Sequence, residues 1–252
     1  MSAFDIGWRS VAAALFPLGQ RITEQDNFLQ GEAAVASADG GQLTVAVIGT
    51  TGHAPIGIEI ALQQARAILQ VVREHPGRPI VLLVDTQGQR LRHRDEMLGI
   101  NSYMAHLGKC VELARRRGHR IIGLVYDQAL SGGFITSGLM ADACYALPDA
   151  TIRVMGLPAM ARITKVPEAR LTELARSNPV FAPGPENYER MGGLQQIWRQ
   201  DAPGGLAALL VQALGASPAG DSRAVLGQAR GGRLLAQRVI EAIVAGRDAL
   251  AP

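Results

Sequence analysis

The sequence predicts an α/β protein with a layered, largely parallel sheet and a helical C-terminal region. Short apolar runs, such as residues 80–84 and 121–125, are typical of strands that are buried on both faces. Segments with apolar residues at helical spacing separate these runs, so that strands and helices alternate along the chain. This order is typical of parallel strands joined by right-handed crossovers.

The first predicted elements are a hairpin and a long helix. Residues 31–37 and 42–49 are strand-like, and Asp39-Gly40-Gly41 between them supplies the positive φ angles of a tight turn. Residues 56–75 follow with helical spacing, and His75-Pro76-Gly77 ends that helix. The hairpin therefore leads directly into the alternating part of the chain.

The middle of the chain continues the alternation. Residues 80–89 form a predicted strand, and residues 97–117 a long helix closed by Gly118. Residues 119–127 repeat the buried-strand pattern, and residues 131–143 begin another helix. Two short strands are predicted within residues 144–155, around a turn at Pro148-Asp149.

The C-terminal part has a different character. From about Pro158 the sequence predicts helices joined by loops rich in proline and glycine, with a short strand within residues 193–200. The last 30 or so residues predict a helical segment weakened at Gly227 and at Gly231-Gly232, which either covers its own core or packs against a partner. We therefore divide the chain into an N-terminal segment (1–30), a core (31–200) and a C-terminal helical region (201–252).

Composition excludes several classes of protein. The 252 residues are 48% apolar and 19% charged, as is usual for a globular protein, and no apolar stretch is long enough to predict a membrane span. The N-terminus lacks the basic and apolar regions of a secretion signal. Two cysteines do not make a disulfide framework, so we expect a reducing, cytoplasmic location.

The distribution of charge favours small anionic partners over nucleic acid. The formal net charge is only +3, the basic residues are dispersed and aromatic residues make up 4% of the chain, which argues against a nucleic-acid surface. The cations are nearly all arginine, which suits carboxylate and phosphate recognition. An acidic carrier protein or a phosphate-bearing cofactor is therefore a reasonable partner.

Two strand-to-loop junctions predict the functional site. Residues 84–89 and 126–133 each follow the carboxyl end of a buried strand, where open α/β sheets bind ligands. Gly132 and Gly133 begin a helix, so their N–H groups have no intrahelical acceptor and can hold an oxyanion. A second donor is expected at Gly88 or Gln89; losing one such donor typically costs about 3 kcal/mol of transition-state stabilisation. The alternative interpretation is two ordinary tight turns.

These motifs resemble a known superfamily. The segments VDTQGQ, ALSGGFITSG and VMGLPAMARITK, within residues 80–166, are similar to those of crotonase-type carboxyltransferase subunits, and most similar to the gamma subunit of biotin-independent malonate decarboxylase. Gln87 stands where the carboxyltransferases have proline. The resemblance implies a crotonase-like spiral of β-β-α units. It implies catalytic amides at Gly132, Gly133, Gly88 and Gln89, and substrate contacts from Ser131, Phe134, Gln87, Met155 and Gly156.

The resemblance also implies a division of labour. A beta subunit would share the active site, and together the two chains would decarboxylate malonyl-S-acyl carrier protein to acetyl-S-acyl carrier protein and CO2. An alpha subunit would transfer the carrier group. The substrate would be carried on the phosphoribosyl-dephospho-coenzyme A group of the carrier protein, with no cofactor bound by this chain and no biotin. The alternatives are a biotin-dependent carboxyltransferase subunit and a non-catalytic scaffold.

The proton donor is left open by the sequence. His53, His93 and His106 are candidates by type; His93 is best placed, in the polar loop after Gly88, and Tyr126 is another. Asp85 and Asp127 end buried strands and are expected to hold loop amides. No histidine or cysteine spacing predicts a metal site. A serine hydrolase that uses Ser131 is a rival, but the chain has no Gly-x-Ser-x-Gly elbow.

Overall fold

The computed structural model describes residues 7–37, 40–176, 184–199, 201–216, 220–232 and 234–248. Their strands are β1 Gln20–Gln25, β2 Phe28–Ala36, β3 Gln42–Thr50, β4 Ala54–Ile56, β5 Ile80–Gln89, β6 Ile121–Leu130, β7 Ala143–Ala146, β8 Thr151–Arg153 and β9 Gln196–Ile197. Their α-helices are α1 Trp8–Leu15, α2 Ile58–Glu74, α3 His93–Met97, α4 Ile100–Arg116, α5 Ser131–Phe134, α6 Leu157–Thr164, α7 Glu168–Leu174, α8 Pro185–Arg190, α9 Gly205–Gly215, α10 Arg223–Ala229 and α11 Leu234–Asp248.

All of these strands belong to one sheet, in the order β1-β2-β3-β5-β6-β7-β9. The hairpin β2-β3 is antiparallel, as predicted, with Gly40 at φ 84°; Asp39 lies outside the described residues. From β3 to β9 the strands run parallel, as the alternation predicted. The carboxyl ends of β5 and β6 therefore meet at the same edge of the sheet.

Short strands extend two of the parallel ones. β4 pairs with the last residues of β5, and β8 pairs with the last residues of β6. The chain thus contains β-β-α units, β3-β4-α2 and β7-β8-α6. The two short strands predicted around Pro148-Asp149 are confirmed, but they do not form a hairpin, because both pair with β6 instead.

Helices cover both faces of the sheet. On one face α2 and α4 bury apolar residues against alternate positions of β3 and β5, such as Ile48 and Leu82. On the other face α1 and α9 pack against the intervening positions, such as Val47 and Leu83. This alternation explains why the central strands are apolar at every position.

Helix α1 and strand β1, in the N-terminal segment, pack with this core and its sheet. Helix α1 buries Trp8 and Leu15 in it, and β1 pairs along its whole length with β2. The proposed division at residue 30 falls within β2, and β1 before it is part of the same sheet. Sequence reasoning missed this because β1 is polar: its residues lie at the sheet edge and are mostly exposed.

The helical predictions need two corrections. The long helix begins at Ile100 rather than at residue 97, because Gly99 takes a left-handed conformation (φ 74°) and separates it from α3. The helix after Ser131 changes after one turn into a π-helical turn over Ile135–Leu139. Helix α10 contains Gly227 and ends at Ala229, just before Gly231-Gly232; α9 covers the core, whereas α11 exposes apolar side chains. Among the described residues, no helix is long and apolar enough to cross a membrane.

Candidate active site

The two glycine bends are in direct contact. Gly88, near the end of β5, has φ 95°, and a Cβ atom there would lie 2.8 Å from Cβ of Ser131 and 2.9 Å from the carbonyl oxygen of Leu130. Since β5 and β6 are parallel neighbours, their loops leave the sheet side by side. Only glycine combines this backbone conformation with so close an approach.

The start of α5 packs into this contact. A Cβ on Gly133 would lie 3.0 Å from both Cα of Gly88 and Cγ1 of Ile56, whereas one on Gly132 would meet only Oε1 of Gln89, at 3.9 Å. Gly133 therefore faces the neighbouring bend and Gly132 faces more open space. The amides of this first turn have no acceptor within the helix.

Hydroxyl groups in the following turn hold these peptides in place. Thr136 Oγ1 donates to the Gly132 carbonyl at 2.9 Å, and Ser137 Oγ donates to the Gly133 carbonyl at 2.5 Å. Hydrogen bonds at the carbonyl side restrict rotation of the peptide planes. The arrangement is suited to preorganised N–H donors, which need no reorganisation when charge develops.

Gly88 itself is not a free donor. Its N–H donates to Thr86 Oγ1 at 2.9 Å, and that hydroxyl donates in turn to the Ala54 carbonyl at 2.6 Å. The expected donor role of Gly88 is thereby corrected: its amide is satisfied within the chain, and Gly88 permits close approach. Gln89 lies beside Gly132, with its side-chain Nε2 donating to Glu96 at 3.2 Å.

The predicted substrate contacts fall into two groups. Phe134 is only 2% exposed and packs edge-on against Tyr188, so it belongs to the core. A substrate contact from Phe134 stays a prediction that this burial argues against, because a large apolar residue beside a loop can face either way. Gln87 is exposed, and Met155 and Gly156 are half-buried after β8. Ser131 is linked to this last segment, since its Oγ donates to the Val154 carbonyl at 2.6 Å.

The predicted proton donors differ in how accessible they are to solvent. Tyr126 is buried, its hydroxyl donates to the Thr50 carbonyl at 2.9 Å, and burial raises its pKa well above the usual value. The burial and this hydrogen bond make Tyr126 a poor acid, which argues against its role as the proton donor. His93 is exposed at the start of α3. His106 is also exposed and lies on α4, with Nε2 3.7 Å from Cys110 Sγ.

His53 joins the two strand-end carboxylates. Its Nε2 lies 3.0 Å from Asp127 Oδ2, and its backbone N–H donates to Asp85 Oδ2 at 2.8 Å. The prediction that Asp85 holds a loop amide is thereby confirmed. Sequence reasoning named His53 by residue type alone and did not connect it with these carboxylates, which lie 32 and 74 residues further along the chain.

A parallel sheet of β-β-α units, with two glycine bends in contact at its carboxyl edge, defines a crotonase-like protein of the carboxyltransferase type. Comparison with known families matches residues 51–247 to the malonate decarboxylase gamma subunit. The chain belongs to that family and is therefore a decarboxylase subunit. This agrees with the resemblance of its central motifs.

Individual relatives and solved structures are similar to this chain in sequence or in fold. The chain is 31% identical over 205 residues to a malonyl-S-ACP:biotin-protein carboxyltransferase, MADD, of Malonomonas rubra, which covers 73% of this chain and 70% of that protein. A Pseudomonas malonate decarboxylase hetero-tetramer in complex with coenzyme A superimposes with a TM-score of 0.77, at 24% identity over 94% of this chain and 98% of that one. The Pseudomonas MdcD-MdcE hetero-dimer superimposes with a TM-score of 0.73 at 25% identity, with the same coverage. Transcarboxylase 12S superimposes with a TM-score of 0.67 at 21% identity, over 82% of this chain and 41% of that one.

Proposed function

We propose that this chain acts with a beta subunit to decarboxylate malonyl-S-acyl carrier protein, and that the amides of Gly132, Gly133 and Gln89 hold the negative charge of the reaction. The substrate would be carried on the phosphoribosyl-dephospho-coenzyme A group of the carrier, without biotin. The observation that carries the proposal is the contact between the two bends at Gly88 and Gly133. It brings first-turn amides and the Gln89 peptide to the same edge of the sheet.

The reaction has one demanding intermediate. The bond between C2 of the malonyl group and its free carboxylate breaks, CO2 leaves, and the electron pair stays as a thioester enolate. A proton then adds to C2 and gives the acetyl thioester. No base is needed to begin, so preorganised donors that stabilise the developing charge supply the main catalytic effect.

Exposed apolar side chains support a site shared with the beta partner. Such residues are common in the segments that follow the two bends and β8: Leu91, Met97, Leu98, Ile135 and Val154. Large exposed apolar side chains are typical of protein–protein interfaces. The beta subunit would therefore close the site from this side.

We expect Leu91→Glu to weaken association with the beta subunit. Leu91 is 89% exposed in the loop after β5, and burying a carboxylate at an apolar interface is unfavourable. Co-purification through a tag on the beta subunit measures the effect. Val225→Glu, at a residue that is 68% exposed on α10, is the matched control and should bind normally. Equal recovery of both variants would contradict the placement of the interface.

The function itself is tested with the purified beta–gamma pair. Incubation with malonyl-carrier protein should release CO2 and leave acetyl-carrier protein, and the rate should not change when avidin is added. Dependence on biotin would instead favour carboxyl transfer, the second candidate, which the Malonomonas rubra relative supports by its activity. A beta subunit that is fully active alone would favour the scaffold alternative.

We expect Ser131→Ala to lower kcat only about fivefold, which distinguishes this function from that of a serine hydrolase. The Ser131 hydroxyl holds the Val154 carbonyl, and losing one such hydrogen bond costs about 1 kcal/mol, equivalent to about a fivefold change in kcat. Loss of a true nucleophile lowers kcat by a factor of about 10⁶. Steady-state decarboxylation rates of the variant measure the difference; a near-complete loss with intact assembly would contradict our proposal and favour the hydrolase.

A further inference from the structure

We propose that His53, Asp85 and Asp127 form a binding site for one divalent cation at the carboxyl edge of the sheet. The inference goes beyond the proposed decarboxylation and does not depend on it. The three side chains come from the β3–β4 loop and from the carboxyl-terminal halves of β5 and β6. Their donor atoms all lie within 4.8 Å of one another.

The backbone fixes the position of the histidine. His53 has φ 50°, a left-handed conformation that is uncommon for residues other than glycine. Its N–H donates to Asp85 Oδ2, so one carboxylate oxygen holds the loop that carries the imidazole. Backbone strain of this kind persists only where surrounding contacts determine the conformation.

The distances suit octahedral coordination. His53 Nε2 lies 3.0 Å from Asp127 Oδ2 and 3.8 Å from Asp85 Oδ1. Ligand atoms about 2.1 Å from an octahedral ion are about 3.0 Å apart when adjacent and about 4.2 Å apart when opposite. An ion between the three atoms therefore requires only small side-chain movements.

The unpaired oxygen of Asp85 is the second, independent observation. The Asp85 side chain is only 3% exposed, and its Oδ1, which faces His53 Nε2, is buried without a hydrogen-bond partner. A single N–H on Nε2 satisfies Asp127 and leaves Asp85 Oδ1 unmet. A buried acceptor without a partner costs about 1–3 kcal/mol, and more when it is charged. A cation in place of that proton satisfies both carboxylates and the nitrogen lone pair.

The charge balance points in the same direction. Two carboxylates and a neutral imidazole together carry a charge of −2, which a divalent ion neutralises. One nitrogen and two oxygens suit Mn²⁺ or Zn²⁺ better than Mg²⁺ or Ca²⁺, which prefer oxygen alone.

The site is open on one side. The His53 and Asp127 side chains are about half exposed, so an ion there would keep coordination positions for water or an anionic ligand. Asp85 is three residues before Gly88, which places the site within about 10 Å of the glycine bends along an extended strand. Spacing in the sequence did not reveal it, because the three ligands belong to different elements: the β3–β4 loop, β5 and β6.

The test is metal binding to the chain co-purified with its beta subunit and stripped with EDTA. Titration with Mn²⁺ alone, followed by electron paramagnetic resonance of the free ion, should show one saturable site per gamma chain. Since losing even an outer partner of a metal ligand costs about 10–100-fold in affinity, Asp127→Asn and His53→Asn should weaken binding at least about tenfold. Asparagine at position 53 tolerates the left-handed conformation, so the loop is preserved.

Two matched substitutions serve as controls. His75→Asn changes a histidine at the end of α2, and Asp149→Asn changes an exposed aspartate in the turn after β7; both should bind Mn²⁺ as the unchanged chain does. Circular dichroism confirms the fold of each variant. Absence of saturable binding, or equal binding by the His53 and Asp127 variants, would overturn the proposal. No malonyl substrate enters the assay, so its result is independent of the decarboxylation.

Discussion

Gly88→Ala should lower kcat for decarboxylation by about 10²–10³, the effect of losing one preorganised donor. A Cβ there would lie within 3 Å of the Ser131 side chain and of the Leu130 carbonyl, so the two bends must separate. The backbone at φ 95° adds strain. Since the Gly88 N–H is donated to Thr86, the effect comes from displacement of neighbouring amides rather than from loss of its own. Steady-state kinetics of the assembled beta–gamma pair measure it.

Gly118→Ala is the control for Gly88→Ala, because it introduces backbone strain without displacing any neighbouring group. Gly118 has a similar φ of 82°, but a Cβ there would meet no atom within 4 Å. This variant should lose about 1 kcal/mol of stability, with kcat unchanged, because left-handed strain is its only defect. If Gly88→Ala also keeps kcat within about threefold of the unchanged enzyme, the contact between the bends does not hold the catalytic groups.

Whether Gly88→Ala changes kcat or KM shows which negatively charged group of the substrate the backbone donors bind. Donors that bind the enolate oxygen act in the transition state, so displacing them lowers kcat and leaves KM nearly unchanged. Donors that bind the carboxylate before it departs act in the ground state as well, so their displacement raises KM. The Gly88→Ala kinetics therefore decide between the thioester oxygen and the departing carboxylate.

The fold was largely predictable because its signals are local. Buried runs in β5 and β6 mark parallel strands, and the glycines after them mark the bends. A helix start at Ser131 follows from the same pattern. These features depend on residues that are close together in the sequence. The contact between the bends then follows from the parallel pairing of two neighbouring strands.

The details that decide the chemistry depend on distant pairings. Thr86 Oγ1 removes the Gly88 amide from the set of donors, and this requires the Ala54 carbonyl, 32 residues earlier. His53 meets Asp127 across 74 residues. Phe134 and Tyr126 turn into the interior, a choice that local periodicity does not determine at a strand end. Side-chain direction at loops is set by packing across the sheet, and the pattern of residues along a single sequence does not predict that packing.

Arg90→Ala should destabilise the chain by about 3 kcal/mol, the usual effect of removing one partner of a buried ion pair. Arg90 binds Asp95 through two hydrogen bonds, at 2.7 and 2.8 Å, and Asp95 is fully buried. The Arg90 guanidinium also packs directly on Gly57. This pair fixes the loop that follows Gln89, so we expect activity to fall as well. Chemical denaturation and decarboxylation rates measure the two effects.

Arg94→Ala is the matched control, because it removes an arginine from the same segment that pairs with Glu59. Arg94 is 54% exposed, and such surface pairs contribute about 0–1 kcal/mol. The two variants also differ in their pH dependence. Arg90 holds the pKa of Asp95 below its usual value, so the stabilisation is fully present above the unfolded pKa and is lost as the pH falls through the folded one. The deficit of Arg90→Ala should therefore be full at neutral pH and shrink below about pH 4. A deficit that stays constant with pH would show that Arg90 acts by packing on Gly57 rather than by its charge.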